Sequence, residues 1–66
     1  MYLPRLRDLR EDHDLKQEEV AKLLGIQQTV YSRYERGART IPLEHLVKLA
    51  EFYQVSVDAL LEHWKP

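Results

Sequence analysis

Gln17 to Gly37 reads QEEVAKLLGIQQTVYSRYERG, two short helical patterns on either side of a glycine. In the first, Val20, Ala21, Leu23 and Leu24 fall on an inner face, and Gly25 supplies the positive φ that ends a helix at little steric cost. A second helix restarts near Gln27. On its wheel Tyr31 and Tyr34 lie to one side, and Gln28, Thr29, Ser32, Arg33 and Arg36 lie together on the other. That predicts a helix with one buried face and one polar, partly basic face. Long amide and guanidinium side chains are the groups that pair with base edges, Gln with adenine and Arg with guanine, although any surface helix can carry them.

The run Leu15-x-Gln17-x-Glu19-Val20-Ala21-x-x-Leu24-Gly25-Ile26, followed by Tyr31-Ser32-Arg33-Tyr34-Glu35-Arg36-Gly37, resembles the Cro/C1-type (XRE) helix-turn-helix family. The resemblance covers about the whole chain. It implies an all-α, five-helix, lambda-repressor-like DNA-binding domain occupying residues 1–66, with a helix-turn-helix at about 17–36.

Outward from the motif, Leu3, Leu6 and Leu9 recur at near-helical spacing with Pro4 in a first-turn position, predicting a helix over about 3–13. Asp14 stands where many relatives have Gly or Asn, and Asp is tolerated if the chain turns left-handed there. Leu15 is expected to plug the core ahead of a helix over about 17–24. Lys16 and Gln27 replace the capping Ser or Thr of the family, and Glu18 and Glu19 offset the first loss through the helix dipole.

Residues 38–41 read as a loop, and Pro42 opens a mostly apolar helix over about 43–53. Leu43, Leu46, Val47, Leu49, Ala50 and Phe52 are expected to make the floor of the core. Gln54 sits where the family often ends a helix with Gly. Ser56 and Asp58 mark a last helix over about 57–62, with Val57, Leu60 and Leu61 inward. Trp64 either covers the core, the reading preferred here, or belongs to a dimer contact.

With 66 residues the chain is sized for one domain, and a domain that small buries only about 60% of its unfolded surface. There is no cysteine, which excludes disulfides and thiolate metal sites. Neither a membrane-length apolar run nor a signal-peptide block is present, so the expectation is a cytoplasmic protein without membrane contact. The formal net charge is only −1, but residues 15–41 carry five cationic side chains against three carboxylates, a net +2. The flanks are acidic, −1 over residues 1–14 and −2 over 42–66. Positive charge is concentrated around the motif, as a locally steered contact with a polyanion requires.

The resemblance implies double-stranded DNA as partner and assigns residues to it. Gln17, at the start of its helix, is placed against the phosphate backbone. Gln28, Thr29, Ser32 and Arg33 match positions that meet base edges or nearby phosphates, with Gln28 and Arg33 the foremost readers, and Gln27 is counted with them as DNA-binding. Arg36, Arg39 and Thr40 match backbone-holding positions that set affinity and register more than sequence preference. Arg10 and Glu35 correspond to a partly buried ion pair joining the first helix to the third.

His13, His45 and His63 are widely separated and show no metal-ligand spacing; no catalytic signature, cofactor or small-molecule ligand is indicated, and no enzyme is assigned. The expected function is a transcriptional regulator, a repressor, acting as a homodimer. The alternative is a protein-interaction module or antitoxin-type partner on the same fold.

Overall fold

The computed structural model describes residues 1–66 as five helices: α1 (Pro4–Asp12), α2 (Gln17–Leu24), α3 (Gln28–Arg36), α4 (Leu43–Tyr53) and α5 (Val57–Leu60). No helix is long and apolar enough to cross a membrane. The lambda-repressor-like expectation holds.

Four of the five helices end in the same way. Asp14, Gly25, Gly37 and Gln54 take φ of +54°, +71°, +75° and +57°. Each is followed by a residue whose N–H returns to the carbonyl five positions back: Leu15 to Arg10, Ile26 to Ala21, Ala38 to Arg33 and Val55 to Ala50, all at 3.0 Å. This is the Schellman arrangement, which satisfies the last helical carbonyls and turns the chain inward. Leu15, Ile26 and Val55, placed just after those turns, pack on the core. Asp14 and Gln54 thus do what glycine does at the other two ends, at a steric cost of about 1 kcal/mol or more each.

Tyr31, Leu6, Leu49, Leu60, Leu3 and Val20 are the most deeply buried side chains, so every helix contributes to one core. The α2 and α3 helices pack most extensively against each other. Ile41 is buried and ties down the loop between α3 and α4.

At the N-terminus of α2, Lys16 supplies no side-chain cap. Its own N–H, however, donates to Glu19 Oε1 at 3.0 Å, half of a capping box. Ser56 caps α5, its Oγ accepting from Ala59 N–H at 3.1 Å.

Three expectations are corrected. Leu43 (69% exposed), Val47 and Phe52 point outward, because the inner stripe of α4 is Leu46, Leu49, Ala50 and Tyr53, spaced at one and two helical turns. The α5 helix ends at Leu60, short of 62. Trp64 is 53% exposed instead of covering the core. The last two share a cause: His63 turns left-handed with φ +61°, and Lys65 then pairs with Tyr2, N–H to carbonyl at 2.9 Å and 2.7 Å. The chain must leave the helix early to make that bridge, and Trp64 is carried to the surface.

Candidate nucleic-acid interface

The α3 helix is held from behind and free in front. Tyr31, Tyr34 and Glu35 are buried on its inner side. On the outer side Gln28, Thr29, Arg33 and Arg36 are exposed and Ser32 is half-buried, and these five alone line one open recess with no apolar residue in it. The helical wheel separates these two sets along the same line. Gln27 is exposed at the N-cap, and Arg39 and Thr40 are exposed in the loop beyond Gly37.

Charge pairing divides the arginines in two. Arg5 bonds with Asp8 and Glu62, Arg7 with Glu11, and Arg10 with Glu35. Arg33, Arg36 and Arg39 take part in no ion pair. The cations of α3 and its following loop are therefore unneutralised, while those of α1 each face a carboxylate.

Behind α3, Arg10 Nε donates to Glu35 Oε2 at 2.6 Å and Nη2 to Oε1 at 3.2 Å, a bidentate pair. The two side chains are only 13% and 4% exposed. Arg10 Nη1 also donates to the Leu15 carbonyl at 2.8 Å, and Gln17 Nε2 donates to Glu35 Oε1 at 3.1 Å. One carboxylate thereby joins α1, α2 and α3. Burial alone would raise the Glu35 pKa, but the hydrogen bonds from Arg10 and from Gln17 outweigh it and hold the group below the usual carboxylate range. The Arg10 guanidinium is shifted up, chiefly by its hydrogen bond to Glu35.

The hydroxyls of Tyr31 and Tyr53 are buried without a hydrogen-bond partner. Burial and the Glu35 charge raise both, Tyr53 to about 12, so neither ionises near neutrality.

Gln17 is half-buried, and its amide is already engaged with Glu35. Nothing in its local sequence signals this inward bond, because the partner lies 18 residues away. A second recess, lined by Tyr2, Arg7, Arg10, Gln17, Glu35 and Arg36, adjoins the first and shares Arg36 with it. Sequence reasoning passed over Tyr2 and Arg7. The spacing of Arg7 and Arg10, three apart on α1, is a signal that both face one side; Tyr2 carries none, because Lys65 places it.

A family model described as Helix-turn-helix matches residues 6–60. Two similar proteins are an uncharacterized HTH-type transcriptional regulator, YobD, from Bacillus subtilis, and the cryptic phage CTXphi transcriptional repressor RstR from Vibrio cholerae. The first is 46% identical over 92% of this chain and 54% of its own length. The second is 43% identical over 92% and 55%. The chain thus spans about half the length of these relatives. Among solved structures, the P22 c2 repressor, crystallised with a synthetic operator, superposes with a TM-score of 0.78 at 29% identity over 88% of both chains.

Proposed function

The chain belongs to the Cro/C1-type helix-turn-helix family of DNA-binding transcriptional regulators, and from that premise we infer that it binds double-stranded DNA sequence-specifically, as a repressor and a homodimer. In this reading α3 enters the major groove with Gln28 and Arg33 toward base edges, Thr29 and Ser32 beside them, and Gln27 and Gln17 at the near margin. Arg36, Arg39 and Thr40 hold the backbone. The observation that carries it is the one-sided α3: a polar, unneutralised face turned outward on a helix fixed from behind by two buried tyrosines and the Arg10–Glu35 pair. Being held at three elements keeps the reading side chains in register, a requirement for discriminating bases.

A single domain of this size reads few base pairs, so two copies on half-sites about one helical turn apart give the specificity a repressor needs. Repression follows where such an operator overlaps a promoter and excludes polymerase.

Selection of random duplex DNA against the purified protein, with the binding of the winners followed as salt is raised, tests this. Enrichment of a two-fold symmetric site is expected, with log affinity falling linearly in log salt by about 0.9 per phosphate contact. An asymmetric half-site refutes the dimer alone. No enrichment refutes the DNA reading and favours a second one, a protein-contact module, for which the exposed apolar Leu43, Val47, Phe52 and Trp64 are the material.

A further inference from the structure

Residues from opposite ends of the sequence meet at the end of α3. Tyr2 N–H donates to the Lys65 carbonyl at 2.7 Å and Lys65 N–H to the Tyr2 carbonyl at 2.9 Å, an antiparallel pair. We propose that residues 63–66 are a strap which clamps Tyr2 onto Gly37 and so fixes the turn carrying Arg39 and Thr40, placing DNA affinity under the control of this remote segment. This rests on the DNA-binding reading above and deepens it, with Tyr2 as a positioning residue that acts through Gly37.

Three observations carry it. First, folding does not account for the strap. Residues 62–66 are all exposed and none belongs to the core. His63 takes φ +61°, a conformation unfavourable to any side chain, and Trp64 is left 53% exposed. A segment that accepts strain and an uncovered indole is held by its two hydrogen bonds, and what those bonds hold is Tyr2.

Second, Tyr2 bears directly on the end of α3. A Cβ on Gly37 would lie 2.9 Å from Tyr2 Cβ and 3.1 Å from its Cα, so the Tyr2 backbone itself closes the space beside Gly37. Third, Gly37 is where the turn pivots. It takes φ +75°, and the next two N–H groups, of Ala38 and Arg39, both return to the Arg33 carbonyl, at 3.0 and 3.3 Å. Arg39 and Thr40 are exposed, and Arg39 has no ion-pair partner. The turn is thus held by one shared carbonyl on the helix side, by buried Ile41 on the far side, and by Tyr2 at Gly37. Without Tyr2, the freedom that glycine regains must be removed again when DNA binds, and affinity falls.

Two variants of the whole chain test this. Lys65→Pro deletes the N–H that bonds Tyr2, whereas Lys65→Ala keeps both backbone bonds and removes only the ammonium group. Lys65→Pro is expected to bind selected and random duplexes about 10-fold more weakly, with amide exchange about 10-fold faster at Ala38 and Arg39 and unchanged at Leu49 in the core. Lys65→Ala is expected to match the wild type in binding and exchange. Linkage is reciprocal, so adding the selected duplex to the wild type slows Lys65 amide exchange by the factor that Lys65→Pro loses in affinity. A strap serving stability alone would not respond to DNA in this way.

Undiminished binding by Lys65→Pro, an equal loss in Lys65→Ala, or weaker binding with Ala38 and Arg39 exchange unaltered overturns the strap while the DNA reading stands. Should Lys65→Pro fail to fold, the wild type decides alone: Lys65 exchange that the duplex leaves unchanged overturns the proposal. A wild type that binds no duplex removes the DNA reading and the control of affinity with it, even where exchange in the free protein links Lys65 to Ala38 and Arg39.

Discussion

Replacing Arg10 by Met strands the Glu35 carboxylate, 4% exposed, in the middle of the three-helix junction. It also removes the donor to the Leu15 carbonyl at 2.8 Å, leaving Glu35 only the bond from Gln17. Breaking one side of a buried pair costs about 3–5 kcal/mol, most of it the desolvated charge left behind. Glu35→Leu is expected to cost less, about 1–3 kcal/mol, because Arg10 keeps its bond to Leu15 and its long side chain, 13% exposed, can carry the guanidinium to water.

The double variant removes both charges and is expected within about 1–2 kcal/mol of wild type, with the orphaned Leu15 carbonyl the remaining loss. A domain of this length has roughly 3–10 kcal/mol in total, so Arg10→Met lowers Tm by about 12 °C or more and can unfold the weaker end of that range. Urea unfolding of all four proteins at neutral pH measures the cycle.

Acidity supplies a second, signed readout. In the wild type the Glu35 pKa is depressed from 4.5, so its contribution is full above that value and is lost as pH falls through the lower folded value. In Arg10→Met the unpaired buried carboxylate shifts the other way, and protonation relieves it. The gap between the two proteins therefore narrows toward acid. A cost under about 1 kcal/mol for Arg10→Met, or single losses that simply add in the double variant, would refute the idea that this pair fixes α3 from behind.

Gly37→Ala is expected to cost more than Gly25→Ala: both sit near φ +70°, at about 1–2 kcal/mol of strain, but only at Gly37 does the new methyl meet Tyr2 Cβ, at 2.9 Å, whereas nothing lies within 4 Å at Gly25. Equal melting temperatures for the two variants would contradict the close approach. Lys16→Ser supplies a cap to a residue already extended, with φ −88° and ψ 157°, and is expected to raise stability by about 0.5–2 kcal/mol in denaturant titration; no gain means the Glu19 half of the box already suffices. Arg33→Ala is expected to weaken selected DNA by about 1–3 kcal/mol and relax preference at one base pair, whereas Arg39→Ala weakens selected and random duplexes alike; equal loss on both in Arg33→Ala would remove that residue from base readout.

Helix positions, their ends and the two-sidedness of α3 are all short-range matters, and the chain carries them openly. Residues three and four apart share a face whatever else the protein does, and a left-handed turn favours Gly, or Asp and Gln at a cost, wherever it occurs. That is why the polar set from Gln28 to Arg36 could be separated from Tyr31 and Tyr34 on paper. The Arg10–Glu35 pair, 25 residues apart, was accessible only through family resemblance. Beyond that reach lay the partners chosen across the fold. Gln17 turns to Glu35, Tyr2 pairs with Lys65 from the opposite end of the chain, Tyr53 goes inside while Leu43 and Trp64 stay out, and Arg7 comes to share a recess with Arg36. Periodicity states which side of a helix is apolar. How far that side is covered, and which distant group meets a polar one, depends on where the other helices pack, and that placement follows from burying all of them together around one small core.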